Sequence, residues 1–351
     1  MAGENGKRSA APSADRLIEE PAEWLALTSE ETLEPDLPIC DPHHHLWDHP
    51  GNRYLLDDVL EDTGSGHAVV KTVFVECNSM YRHDGPAEMR PVGETEFVQG
   101  IAAMSASGGY GATRIAAGIV SFADLTLGSK VEPVLQAHIG ASNNRFRGIR
   151  HASGWDPSDG IRNSHTNPPN HLLLDDKFRE GFALLDKLGL SFDAWFYHTQ
   201  MDDFIDLARA FPNVTIVLDH FGGPLGIDRF AGKQDEVFDH WRAKIAEVAD
   251  CHNVVLKLGG INMKINGFGW HQRARPPGSE ELAKATARYY LHCIDLFGAN
   301  RCMFESNFPV DRDSCSYNVL WNSFKRMTTH LNKVDRSALF HDTAARTYRL
   351  L

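Results

Sequence analysis

The 351-residue chain is short of positive charge: 35 Lys and Arg stand against 47 Asp and Glu, for a net charge of −12. No Lys/Arg stripe is available to neutralise phosphates, which argues against nucleic acid as a partner. Long apolar runs are missing too, so no membrane-embedded function is expected. The N-terminus is polar and lacks an apolar leader, which points to a cytoplasmic protein. None of the six cysteines (Cys40, Cys77, Cys251, Cys293, Cys302, Cys315) falls in a CxxC pair. That spacing excludes a zinc ribbon, and thiols within runs such as "VFVEC" and "RCMF" fit reduced, buried residues better than a disulfide framework. A GxGxxG turn after an early strand is also absent, which argues against a dinucleotide-binding doubly wound sheet.

What is present starts with an arm. Residues 1–36 open on "MAGENGKRSAAPSAD", small and polar, where disorder is expected. "EEPAEWLALTSEETLEP" predicts a short helix whose Trp24 and Leu25 pack on the body or on a partner subunit. This arm is the ground for expecting a homo-oligomer.

Residues 37–351 read as one domain. Eight β-branched or apolar runs recur: "LPICDPH", "AVVKTVFVEC", "TRIAAGIVSF", "RFRGIRH", "LSFDAWFYH", "VTIVLDHFGG", "NVVLKLGG" and "RCMFESNFP". Helical periods separate most of them. "DDKFREGFALLDKLG" places Phe178, Phe182 and Leu185 on one face, and "MDDFIDLARAFPN" does the same with Phe204, Leu207 and Phe211 before Pro212 closes it. "GSEELAKATARYYLHCIDLFG" predicts a long helix capped by Ser279 and stopped at Gly298. "LNKVDRSALFHDTAARTYRL" predicts a closing helix. Strand–helix alternation of this number and spacing predicts an α/β fold, a distorted (β/α)8 TIM barrel.

In such barrels the chemistry sits at the C-terminal strand ends. Ionisable residues gather there: Asp41, His43, His44 and His45 on strand 1, Glu76 on strand 2, Arg147, Arg150 and His151 on strand 4, and His198 on strand 5. Asp219 and His220 follow on strand 6, Lys257 on strand 7, and Glu305 with Asn307 on strand 8. A purely structural barrel has no need of that coincidence, so an active site is expected. Alternation puts Asp41, His43 and His45 on one face and turns His44 away. Two imidazoles so spaced can reach one divalent ion, zinc in the first instance. The plainer alternative is a solvated His-rich turn.

"CDPHHHLWD", "VLDHFGGP", "LKLGG" and "FESNFP", in that order, resemble the amidohydrolase superfamily. Within it they are similar to the amidohydrolase-related branch containing 2-pyrone-4,6-dicarboxylate lactonase, sugar-lactone hydrolases and decarboxylases. The resemblance runs from about Pro38 to the C-terminus. It implies a distorted barrel and hydrolytic or lyase chemistry, with His43 and His45 as the paired ligands and His220 assisting catalysis or orienting substrate. His198 lies near where many members place a further metal ligand; the alternative is a surface residue starting the next helix.

Strand 8 departs from the pattern. Relatives carry G-S-D-x-P, the aspartate serving as ligand and general base, whereas this chain reads Glu305-Ser306-Asn307-Phe308-Pro309. An amide takes no proton from water and binds a cation weakly, so a divalent metal is expected to be weakly held or absent. Glu305 shares a face with Asn307 and can return a carboxylate to the site; alternatively it pairs with Lys257 or Arg301. Arg82, Arg147, Arg150 and His151 suggest an acidic or polar small-molecule substrate, the alternative being an internal pair of Arg150 with Glu76. Tyr197, with Trp155, Trp195 and Trp270, lines an apolar pocket or belongs to the core. The expected function is a hydrolase opening a lactone or related cyclic ester. A metal-dependent decarboxylase of an aromatic or unsaturated acid is the alternative, and a non-catalytic ligand-binding barrel is a third reading.

Overall fold

The structure, a computed structural model, describes residues 21–350. Eight strands form the ring: β1 Ile39–His44, β2 Val69–Val75, β3 Arg114–Ser121, β4 Phe146–Arg150, β5 Ser191–Ala194, β6 Ile216–Leu218, β7 Val254–Leu258 and β8 Cys302–Phe304. They lie in chain order in one parallel sheet. Each matches a run expected from the sequence. Closure is thin: a single parallel bridge joins His44 to Phe308, with the Asn307 amide donating to the His43 carbonyl at 3.0 Å. This is the distorted (β/α)8 TIM barrel. A small antiparallel hairpin, Trp47–His49 with Asn52–Tyr54, stands just beyond β1.

The barrel interior is packed, not hollow. Cys40, Val73, Val75, Val120, Val217 and Met303 point inward and meet Tyr348 and Leu350 from the chain's end. That tail arrives through the expected closing helix, which runs Lys333–Ser337, a wide turn at Ala338–Asp342, then Thr343–Thr347. Around the ring, the helix Asp176–Leu188 buries Phe178, Phe182 and Leu185, is capped by the Asp175 carboxylate and stops at Gly189 in the left-handed region. The helix Met201–Ala210 buries Phe204 and Leu207, with Phe211 as its C-terminal cap.

The helix Ser279–Phe297 corrects an expectation. Its cap is Gly278, and Ser279 is the first helical residue. Gly278 has no side chain to offer, so Glu30 of the arm takes the duty, accepting the Ser279 amide at 2.7 Å and its hydroxyl as well. A local sequence rule cannot see an acid so distant in the chain. The arm's helix, Pro21–Ala26, packs Trp24 and Leu25 on the body of its own chain, and the Trp24 indole donates to the Arg273 carbonyl at 3.0 Å. The segment 1–15, where disorder is expected, lies outside the described residues. All six cysteines are free thiols, and five are buried. Among the described residues no helix is long and apolar enough to cross a membrane.

Candidate active site

β1 delivers the paired histidines. The ring of His45 is fixed by Nδ1 donating to the Val75 carbonyl at 2.8 Å, which leaves Nε2 as a lone pair facing His43 Nε2 at 3.3 Å. On its other side, His43 Nδ1 faces Lys257 Nζ at 3.2 Å and Glu305 Oε2 at 2.8 Å. With both Nε2 atoms unprotonated, their lone pairs converge. Their spacing suits two nitrogens each about 2.0–2.1 Å from one tetrahedral ion. His44 turns away as alternation requires, its ring bonded to Thr72 Oγ1 at 2.8 Å and set edge-on to Phe74.

β6 and β8 supply the facing half. His220 Nδ1 donates to Glu305 Oε1 at 2.6 Å. The sequence makes room for this pair in a definite way. A Cβ on Gly260 would stand 2.2 Å from His220 Nδ1, and one on Gly259 would stand 2.3 Å from Glu305 Cγ. The two glycines of "LKLGG" are therefore the space the pair occupies.

Beneath lies a dry ionic floor. Lys257 Nζ pairs with Asp193 at 2.7 Å and with Asp219 at 3.1 Å. Arg150 pairs with Glu76 at 2.7 Å and reaches Asp219 at 3.6 Å. Two cations thus face four buried carboxylates, Glu76, Asp193, Asp219 and Glu305. Burial dominates their titration. It pushes Glu305 up to about 8 and Asp219 up to about 6, and holds His220 down at about 3 and His43 well below the usual imidazole range. For Glu76 burial pulls the same way, but His165 and Arg150 outweigh it and hold the carboxyl down at about 2.

The donor set fits a divalent cation. His43, His220 and Glu305 offer ligand atoms within 4.8 Å of one another. Both oxygens of Asp219 and Oε2 of Glu305 are buried without a well-formed hydrogen bond. Excess buried negative charge with unsatisfied oxygens is what such an ion relieves.

Not every expected residue is brought here. Asp41 braces the β1–β8 seam: its carboxylate accepts the Ser306 amide at 2.9 Å and the Tyr317 hydroxyl at 3.0 Å. Asn307 turns its amide to Asp311 at 3.0 Å, away from the histidines. Arg150 and Glu76 meet as the ion pair. Arg147 is spent on the carbonyls of Asn144 and Phe146, because it lies near the start of β4, and Arg82 pairs with Glu96 at the surface. His151 is wedged against Phe122 and Phe178, with Nδ1 accepting from the Leu125 amide. The Tyr197 hydroxyl donates to the Arg162 carbonyl, and its ring meets Trp195, which in turn lies 4.9 Å from His220. His198 is outside the cation group: it accepts from the Leu225 amide and rests against Phe230 and His240. Glu305 pairs with neither basic residue considered for it, since Lys257 is held by aspartates and Arg301 caps carbonyls of Ala249, Cys251 and Phe297.

Two participants escape a strand-end reading. Asp193 sits inside β5, where only the inward-facing parity of "SFDA" marks it. His165 lies on the loop after β4 and bonds Glu76 at 3.0 Å, with no motif to announce it.

A family model described as amidohydrolase matches residues 40–350. The chain belongs to that family. Membership makes it an enzyme of hydrolase type. An uncharacterized Sinorhizobium fredii protein is 34% identical over 330 residues, covering 90% of this chain and 99% of its own. L-fucono-1,5-lactonase of Burkholderia multivorans is 26% identical, over 88% of this chain and 95% of that enzyme. A solved Burkholderia multivorans amidohydrolase with bound zinc superposes on this amidohydrolase at a TM-score of 0.68 and 23% identity, covering 89% and 99% of the two chains.

Proposed function

We propose that this amidohydrolase opens the ring of a lactone carried on a neutral, polyhydroxylated small molecule. The observation that carries the reading is Glu305, a carboxylate held between His43 and His220 where the neighbouring Asn307 has none to offer. The similarity to an L-fucono-1,5-lactonase supports the same reaction class. A neutral substrate follows from the arginines: Arg150 is already saturated by Glu76 and Asp219, and Arg82 and Arg147 lie elsewhere. For the same reason a decarboxylase, which must grip a carboxylate, is less well served. Trp47 stacks on His45 and Trp195 meets His220 edge-on, offering half-buried aromatic faces to the C–H side of a sugar ring.

His43, His220 and Glu305, whose ligand atoms lie within 4.8 Å of one another, would hold a zinc ion. Bound there, it would polarise the ester carbonyl and acidify water. The chain's own contribution is proton handling and orientation. Glu305 accepts a proton from water, His220 fixes the carboxylate that does so, and Lys257 with Asp219 keeps His43 in register. The test is acid release from L-fucono-1,5-lactone, run beside CO2 release from an aromatic carboxylate. Lactone opening with no CO2 is expected. CO2 release alone would assign a lyase, and binding without turnover would assign a non-catalytic barrel.

A further inference from the structure

Among the described residues, His165 is the member of the buried ionic network most open to solvent: its side chain is 30% exposed, whereas its partner Glu76 is fully buried. Nothing about the strand ends called for it. The loop that carries it leaves β4 at the face where the active-site residues gather, and is pinned rather than loose. The Ser164 amide donates to the Gly154 carbonyl at 2.8 Å, and the Thr166 hydroxyl donates back to the Ala152 carbonyl. His165 is thus set at the rim of the site by two flanking hydrogen bonds.

The pairing has a chemical direction. His165 Nε2 donates to Glu76 Oε2 at 3.0 Å, and the other Glu76 oxygen takes Arg150 Nε at 2.7 Å. Arg150 Nη1 lies 3.4 Å from His43 Nε2, so His165 stands three links from the paired histidines. A buried carboxylate on one ring nitrogen orients an imidazole. The opposite nitrogen, Nδ1, is left for a ligand.

From this geometry we infer that His165 is the general acid of the reaction, delivering a proton from Nδ1 to the departing ring oxygen. The inference rests on the lactonase reading. Opening a lactone expels an alkoxide, a leaving group that departs poorly without a proton. The water oxygen bonds to the carbonyl carbon while Glu305 takes the water proton. The ring C–O bond then breaks, its electron pair stays on the ring oxygen, and that oxygen takes the proton from His165. The products are a hydroxyl and a carboxylic acid, and solvent reprotonates His165 as Glu305 discharges.

The test compares wild type with His165→Gln, whose side-chain amide can still donate to Glu76 but has no proton to transfer. Substrates are acetate esters graded from p-nitrophenyl to simple alkyl, beside L-fucono-1,5-lactone. Turnover of the alkyl esters and the lactone should fall roughly a hundredfold or more, while p-nitrophenyl acetate, which needs no acid, should change by about threefold at most. If His165→Gln fails to fold, His165→Asn enters the same comparison. An equal loss across all leaving groups, or no loss on any, overturns the inference. A wild type that cleaves alkyl esters but not the lactone overturns the lactone reading and leaves the acid assignment readable. A wild type inert to every ester overturns both.

Discussion

Glu305 Oε1 accepts from His220 Nδ1 at 2.6 Å, so the carboxylate of β8 and the imidazole of β6 act as one unit. Both are buried, and both are accommodated by Gly259 and Gly260. The Glu305→Gln enzyme should lose turnover at least about a hundredfold, because an amide takes no proton from water. Its melting temperature should hold or rise, since a neutral amide is cheaper to bury than a carboxylate. Unchanged lactone turnover would remove Glu305 from the mechanism.

Zinc should bind but exchange. The carboxylate that would ligate it is already shared by two histidines, and the motif's acidic position is the neutral Asn307. Elemental analysis after dialysis in metal-free buffer should find less than one equivalent, and added zinc should restore both occupancy and activity. A full equivalent that survives a strong chelator would contradict this.

Asn307 is better explained by Asp311 than by the histidines. Burial holds the Asp311 carboxyl well above its usual range, and the Asn307 amide donates to it at 3.0 Å. Asn307→Asp should therefore not recover a catalytic group. It replaces a donor with a second acid and should cost roughly 3 kcal/mol in denaturant unfolding. The double variant Asn307→Asp with Asp311→Asn should regain much of that loss. A single variant more active than wild type would show that position 307 faces the reaction after all.

The eight strands were legible because inward parity and strand ends are local properties. His43, His45 and Glu305 were marked by strand alternation and His220 by the family resemblance, and the structure places His43 beside His45, His220 and Glu305. The partners of long side chains were not legible. Arg147 and Arg150 lie in one strand, yet only Arg150 reaches the site, because position along the strand decides which end of the barrel a side chain serves. His165 and Glu30 act across loops whose path no periodicity encodes. The Asp41 carboxylate shares a strand with the histidines, but the seam between β1 and β8 claims its oxygens first.

Glu30 makes the arm part of the fold. It accepts the first amide of the helix Ser279–Phe297 at 2.7 Å and also takes a bond from Asn322 at 3.2 Å. Glu30→Ala should cost roughly 1–2 kcal/mol by chemical unfolding, the usual loss for a helix cap. Lactone turnover per folded molecule should stay unchanged. Wild-type stability in the variant would mean that Gly278 caps that helix without help.

Acid should weaken the fold through buried histidines, and His138, remote from the site, isolates the effect. Its Nδ1 meets Thr95 Oγ1 at 2.7 Å, its Nε2 donates to the Phe122 carbonyl at 3.0 Å, and its ring stacks on Phe146. Burial lowers it from 6.5 to about 4. Between those values the unfolded chain binds a proton that the native one refuses, so the stability it contributes is complete above pH 6.5 and is lost as pH falls toward 4. His44, His67 and His151 are lowered to about 4 by burial in the same way. His138→Gln cannot titrate there. The variant should be less stable than wild type at neutral pH, and the gap should close by up to about 3 kcal/mol on acidification. Urea unfolding at a series of pH values reads that gap directly. A constant offset at every pH would mean that His138 is protonated in the native state as readily as in the unfolded one.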